Sequence, residues 1–184
     1  MFTTSAQTDR RRFLWRAHHL DGIRRPLVVF TPKSMLRLRA ATSMPEDFTS
    51  GNWQPVIDDP RQPAASAVRR IILASGKVYW DLDKRREKDG RNDVAIVRLE
   101  QLYPLPVEEL RKTFGQYASA TEVVWVQDEP ANQGPWPFIA VNLPEHLDGL
   151  ALMRASRSAS ASPAAGSHNT HESEQQANLD AAFG

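Results

Sequence analysis

Cysteine is absent from this 184-residue sequence, which removes disulfide scaffolds, Cys-ligated zinc or iron–sulfur sites and cysteine nucleophiles together. That usage fits a reducing compartment, and a cytoplasmic protein is expected. Long apolar runs are absent as well. None approaches the roughly 20 residues that span a bilayer, so no membrane partner is expected. Charge of one sign is not in excess either. Lys and Arg number 23 against 22 Asp and Glu, a net charge of +1 and too little to hold nucleic acid by bulk attraction. Glycine is sparse, with 9 residues, and they form neither a Gly-x-Gly-x-x-Gly turn nor a Gly-x-Ser-x-Gly nucleophile elbow.

What is present is ordinary globular composition, 41% hydrophobic and 24% charged, enough for one domain with loose ends. Residues 1–22 form an atypical basic segment with Arg10, Arg11, Arg12 and Arg16 against Asp9 and Asp21. No apolar stretch follows those charges, so a secretory signal does not fit. A solvated lead-in or short helix is preferred over an organellar transit peptide. Residues 23–155 carry the α/β pattern. Residues 156–184 read as a Ser/Ala-rich linker followed by a helix over Glu172–Phe183, with acids in its first turn.

Five runs predict strands: Leu27–Phe30, Ile71–Ala74, Val94–Val97, Val123–Val126 and the weaker Leu150–Met153. The first four are continuously apolar, as in strands buried on both faces. Between them, Val78–Asp89 turns Val78, Tyr79 and Leu82 inward before stopping at Gly90. Val107–Tyr117 spaces Val107, Leu110, Phe114 and Tyr117 along one helical face, and Phe138–Leu147 is a weaker helix. Such alternation predicts an α/β three-layer sandwich around a mostly parallel, five-stranded sheet. Residues 40–69, with Pro45, Pro55, Pro60 and Pro63, read as a long structureless excursion whose Phe48 and Trp53 need cover from a neighbouring domain or subunit.

Ligands in parallel sheets sit beyond the strands' carboxyl ends, so site residues are expected in those segments. Ser75-Gly76-Lys77 opens a helix, but a phosphate loop needs a second Gly where Ile71 stands; a tight turn with a solvated Lys is expected. Arg98 and Glu100 are spaced for an ion pair. Gln127–Trp136 is the densest polar segment, yet its adjacent acids, Asp128 and Glu129, should point to opposite sides of an extended chain. His168 and His171 lie in the Ser-rich tail and make a weak metal pair. No self-contained catalytic set emerges, and no metal ligands are assigned.

Longer strings carry a resemblance. Arg24-Arg25-Pro26-Leu27-Val28-Val29-Phe30-Thr31-Pro32-Lys33-Ser34-Met35-Leu36-Arg37, then Ser75-Gly76-Lys77-Val78-Tyr79, Val94-Ala95-Ile96-Val97-Arg98 with Glu100-Gln101-Leu102-Tyr103-Pro104, and Gln127–Trp136 follow one another in the order of a known family. Together with Ser158–Pro163 and the final Glu174–Gly184, they resemble the C-terminal domain of the first, decarboxylating component of 2-oxoglutarate dehydrogenase, actinobacterial members above all. The resemblance spans about residues 23–184 and implies a transketolase-like C-terminal domain.

In that family the full-length chain uses thiamine diphosphate and Mg²⁺ in the tricarboxylic acid cycle, but holds them on preceding domains. The family's metal motif opens with Gly-Asp-Gly, and this sequence contains no such tripeptide. The resemblance therefore implies no cofactor bound by this chain alone and no catalytic residue of its own. Residues 1–22 depart from the family, as expected of a frame restarting inside a longer coding region. The family further implies an acetyl-CoA or AMP effector touching Arg25 and Gln101, although Glu108 and Glu109 stand where its Arg pair belongs. Arg111 and Lys112 could replace that pair only on a favourably turned helix. Implied partners are a second copy, or an intact dehydrogenase with its lipoyl-carrying acyltransferase. The alternative is a standalone nucleotide- or CoA-binding or docking module; a small independent enzyme fits least.

Overall fold

In the computed structural model, residues 32–42, 44 and 54–184 are described. The chain divides into two units, Met1–Pro55 and Val56–Gly184. The first unit contributes two short 3-10 turns, Lys33–Arg37 and Arg39–Ala41. The expected strand Leu27–Phe30, together with Arg25, Phe48 and Trp53, lies outside the described residues.

The second unit is built on a five-stranded sheet of β1 (Val56–Ile57), β2 (Arg70–Ala74), β3 (Val94–Leu99), β4 (Glu122–Pro130) and β5 (Ala151–Arg157), in the order β1-β3-β2-β4-β5. β2, β3, β4 and β5 run parallel, and β1 joins β3 antiparallel. The α/β three-layer expectation holds, but β1 comes from the excursion that read as structureless. Two residues flanked by prolines give no periodicity to detect, and tertiary pairing decides their conformation.

Four helices complete the unit: α1 (Val78–Asp89), α2 (Val107–Gly115), α3 (Trp136–Asn142) and α4 (His168–Phe183). α1 stops where Gly90 adopts φ 62° and its N–H returns to the carbonyls of Arg86 and Glu87. α2 starts behind Pro106 with Glu108 and Glu109 at its positive end. α3 begins two residues earlier than expected and ends at Asn142, followed by a 3-10 turn at Pro144–His146. α4 begins four residues earlier, because Ser167 accepts the Thr170 N–H as an N-cap; its first turn therefore carries no acid.

Alternation along the strands divides the core. Ile71, Leu73, Val97 and Trp125 face α2 and α3, where Leu110, Phe114, Ile139 and Leu143 meet them. Ile72, Ala74, Ile96 and Val126 face α1 and α4, where Val78, Leu82, Ala182 and Phe183 meet them. Two helices per face leave the central strands fully dry, which is why they read as unbroken apolar runs. β5 has one partner only, and its outer residues Ala151, Met153 and Arg154 are exposed. That half-wet edge is the physical reason for its weak sequence signal.

Candidate functional site

β4 changes character at its carboxyl end. Val126 pairs with Ala155 and Pro130 with Arg157, so the extra residues of β4 bulge between them. The bulge sends neighbouring side chains to opposite faces. Gln127, 2% exposed, turns toward α3: its Oε1 accepts from Trp125 Nε1 at 2.9 Å and from the Trp136 N–H at 2.8 Å. Its Nε2 donates to the carbonyls of Glu129, Pro130 and Gln133. One neutral amide thus fixes the whole 127–136 loop. Gly134, at φ 65°, lets the chain fold back so closely that a Cβ there would stand 2.9 Å from Glu129 Cβ.

Asp128 turns to the other face. Its Oδ2 lies 2.6 Å from Lys77 Nζ, and its Oδ1 accepts from Gln175 Nε2 of α4 at 3.2 Å. The same Gln175 nitrogen donates to Asp81 Oδ2 at 3.2 Å. Burial, reinforced by Asp128, raises the Asp81 carboxyl above its ordinary range against the opposing pull of Lys77, Gln175 and Lys84. Arg157 ties the roof down, donating to the Asp128 carbonyl at 2.7 Å and pairing with Glu174 at 3.3 Å. Lys77 is therefore an ion-pair partner, not the solvated Lys that its turn suggested.

Asp128 and Glu129 separate as the alternation argument requires. β3 ends at Leu99, just before Glu100, and the Arg98 guanidinium lies over the Tyr79 ring at 4.6 Å. His168 and His171 sit on α4, with His168 3.5 Å from Glu172. Among the described residues, no cluster of three or more His, Cys, Asp or Glu side chains is placed to hold a metal ion.

Of the residues implied to touch an effector, Gln101 donates from Nε2 to the Pro104 carbonyl at 2.7 Å, closing a turn whose Tyr103-Pro104 peptide is cis. Arg25 is outside the described residues. Glu108 and Glu109 lie in the first turn of α2. Arg111 reaches toward Glu108 at 3.9 Å, Asp148 at 3.8 Å and His146 Nδ1 at 3.4 Å.

Sequence reasoning missed a second polar centre at the opposite, amino end of the strands. Asp59 is 2% exposed and Arg86 is 4% exposed, and their side chains form a bidentate pair. Asp59 Oδ2 also accepts the Ile96 N–H at 2.8 Å, taking over the β3 ladder where the two residues of β1 run out. Asp83 bridges Arg86 and Arg61, and an open cavity of about 190 Å³, lined by Arg61, Arg86, Glu87, Arg91 and Val94 among others, lies beside the two arginines. Burial opposes ionisation of Asp83, but hydrogen bonds from Arg61 and Arg86 prevail and hold its carboxyl below the ordinary range. Next door, the Tyr117 hydroxyl donates to Asp58 Oδ1 at 2.6 Å. The Asp-Asp-Pro string was the one available signal: two acids directly after a short β-branched pair.

An apolar surface lies near the carboxyl ends on the α3 face. Tyr103 is 82% exposed and stacks edge-on against Phe138, and Val141 of α3 is 78% exposed. Trp136 is partly covered by Arg154 at 5.3 Å from its ring.

Residues 42–183 match the family described as 2-oxoglutarate dehydrogenase C-terminal. The "2-oxoglutarate dehydrogenase E1/E2 component" of Corynebacterium glutamicum is 50% identical over 172 residues, covering 92% of this chain and 14% of that protein. The "Multifunctional 2-oxoglutarate metabolism enzyme" of Mycolicibacterium vanbaalenii is 50% identical over 177 residues, again 14% of its length, and that of Mycobacterium sp. (strain JLS) is 48% identical over 176. This chain thus spans 14% of the curated relatives it matches. With the family match covering residues 42–183 and relatives about half identical over nearly the whole chain, the chain belongs to the 2-oxoglutarate dehydrogenase C-terminal family.

Proposed function

We propose that this chain serves as the C-terminal domain of a thiamine-diphosphate-dependent 2-oxoglutarate dehydrogenase or decarboxylase, supplying dimer contact and effector binding while the cofactor sits on other domains. The observation that carries this is the combination of about half-identical sequence over nearly the whole chain with coverage of 14% of the relatives' length. The donor set of this chain does not fit thiamine diphosphate and its Mg²⁺. The sequence has no Gly-Asp-Gly, and the Lys at the start of α1 is engaged by Asp128. No catalytic step is assigned to the chain.

The effector reading rests on Arg25 and Gln101, with acetyl-CoA or AMP as the ligand class. A guanidinium suits phosphate, and Arg111 adds a second cation whose partners here lie at long range. The exposed Tyr103, Phe138 and Val141 surface favours a partner, either a second copy or an intact dehydrogenase with its lipoyl-bearing acyltransferase. The cytoplasm is the proposed location, in keeping with a sequence free of cysteine.

The test is an assay of the purified chain with thiamine diphosphate, Mg²⁺, 2-oxoglutarate and a lipoyl acceptor. No turnover is expected, and turnover above background overturns the reading. Calorimetry with acetyl-CoA and AMP separates the regulatory part: binding heat lost in Arg25→Ala supports it, and heat unchanged by that substitution removes Arg25 from the site.

A further inference from the structure

Three Asp-Gly pairs occur in the sequence: Asp21-Gly22, Asp89-Gly90 and Asp148-Gly149, of which the first lies outside the described residues. An aspartate followed by glycine is chemically exposed, because no side chain on the glycine hinders its backbone nitrogen from closing on the aspartate carboxyl. The two described pairs are held in contrasting ways.

Asp89 ends α1. Its Oδ2 accepts from Arg85 Nε, and Arg85 is tied in turn to Asp180 at 2.6 Å. The Gly90 N–H donates back to the carbonyls of Arg86 and Glu87. Both reacting groups are thus engaged, and the helix end must open before they can meet. Asp148-Gly149 lies between the 3-10 turn at Pro144–His146 and β5. The Leu150 N–H donates to the Leu147 carbonyl at 3.0 Å, closing a β-turn with Asp148 and Gly149 at its centre, at φ 48° and 97°. The Asp148 side chain is 73% exposed, and its ion-pair partner, Arg111 Nε, stands 3.8 Å away, beyond hydrogen-bond reach. Among the described residues the Gly149 N–H has no hydrogen-bond acceptor, and a Cβ at Gly149 would meet nothing within 4 Å. A left-handed backbone is costly for a residue that carries a side chain, so Asp148 gives up little by rotating out of it.

We propose that Asp148-Gly149 is a site of isoaspartate formation in the folded protein, while the end of α1 protects Asp89-Gly90 from the same reaction. The Gly149 nitrogen attacks Asp148 Cγ. A C–N bond forms, and the carboxyl hydroxyl departs with the nitrogen's proton as water. Water then adds to one carbonyl of the resulting succinimide. Opening at the side-chain carbonyl restores aspartate. Opening at the main-chain carbonyl breaks its bond to nitrogen and leaves the backbone running through Cγ, one methylene longer. No oxidant, reductant or second substrate enters, and the mass of the chain is unchanged. The lengthened turn feeds directly into β5, whose first amide, that of Ala151, donates to the Thr121 carbonyl at 3.1 Å. Conversion therefore loosens the start of that edge strand.

Peptide mapping of the full chain, aged in mildly acidic buffer and fragmented so that aspartate and isoaspartate are told apart, tests this. In the folded protein Asp148 should convert at least about tenfold faster than Asp89, the margin expected from the hydrogen bonds that only Asp89-Gly90 must break. In guanidinium chloride, with the fold removed, the two should convert at similar rates, because glycine follows both. Equal rates in the folded chain, a faster Asp89, or no isoaspartate at Asp148 overturns the proposal. A difference that persists in the denaturant assigns the selection to sequence neighbours and overturns the role of the fold. Hydrogen exchange reads the consequence: protection of the Ala151 amide should fall as conversion proceeds. It should hold in an equally aged Asp148→Glu chain, whose longer side chain closes such a ring far more slowly. An equal fall in that variant overturns the link to β5.

Discussion

Two loops at opposite ends of the sheet are held with opposite chemistry. Residues 58–62, at the amino end, are pinned by charge: Asp59 is buried against Arg86, and Arg61 is stretched between Asp83 and Glu87. Residues 127–136, at the carboxyl end, are pinned by the neutral Gln127, whose amide meets five partners. A neutral amide needs no counter-charge and is indifferent to pH across the carboxylate range. An ion pair removed from water depends on both members, because either one alone is left as an uncompensated buried charge. The 127–136 loop thus keeps its shape through a neutral amide, with charge entering where Lys77 and Arg157 meet Asp128, whereas the amino-end loop keeps its shape through ion pairs and is the one exposed to acid.

The largest break in that comparison comes from Asp59→Ala. It strands Arg86 and removes the acceptor of the Ile96 N–H, and chemical denaturation should show a loss of about 3–5 kcal/mol. Asp59→Asn keeps an acceptor for the backbone and should recover part of it. Gln127→Ala comes next. It leaves the Trp125 indole N–H and the Trp136 N–H without an acceptor, for about 2–3 kcal/mol, and should loosen residues 127–136 while residues 58–62 keep their exchange protection. Equal loosening of both loops would show that they are one unit and end the contrast.

A smaller effect isolates backbone geometry. Gly134 and Gly90 have nearly the same φ, 65° and 62°, but only at Gly134 would a Cβ meet another atom, at 2.9 Å from Glu129 Cβ. Gly90→Ala should cost about 1 kcal/mol from the left-handed conformation alone. Gly134→Ala should cost more, about 2–3 kcal/mol, since the contacted atom is the base of a side chain and cannot swing away. Equal losses in thermal unfolding would mean that the 127–136 loop yields easily, contrary to the rigidity assigned to Gln127.

How much of this was legible beforehand follows from burial. β2, β3 and the first half of β4 announced themselves because helices cover both their faces. β5 was faint because one of its edges is wet, and β1 was invisible because two residues have no period. The ends of β2 and β4 both read as polar from the sequence, but their joining does not. Lys77 and Asp128 lie fifty-one positions apart, and only the pairing of Ala74 with Val126 brings them to the same crevice. Asp59 was the least readable of all. Acids are almost never fully buried unless paired, and its partner Arg86 looked like one more charge on a solvated helix face. Arg86 shares its helix with Lys84, Arg85 and Lys88, and nothing local distinguishes the one that turns inward.

Acid sharpens the contrast without any substitution. Asp83 is held below the ordinary carboxylate range, so its share of stability is complete above pH about 3.8 and is lost as pH falls through its lowered value. Exchange protection around residues 58–62 should therefore decline first on acidification, ahead of residues 127–136. Tyr117→Phe provides the mildest probe of the same end. It removes the hydroxyl that donates to Asp58 while keeping the ring buried beside Phe114. Burial and the Asp58 hydrogen bond both push this phenol up, so it stays protonated through neutral pH. The expected cost is about 1.5–2 kcal/mol in denaturant titration at neutral pH, the worth of a hydrogen bond to a carboxylate at a partly wet site. A loss as large as that of Asp59→Ala would mean that Asp58 anchors the amino end as firmly as the Asp59, Asp83 and Arg86 triangle.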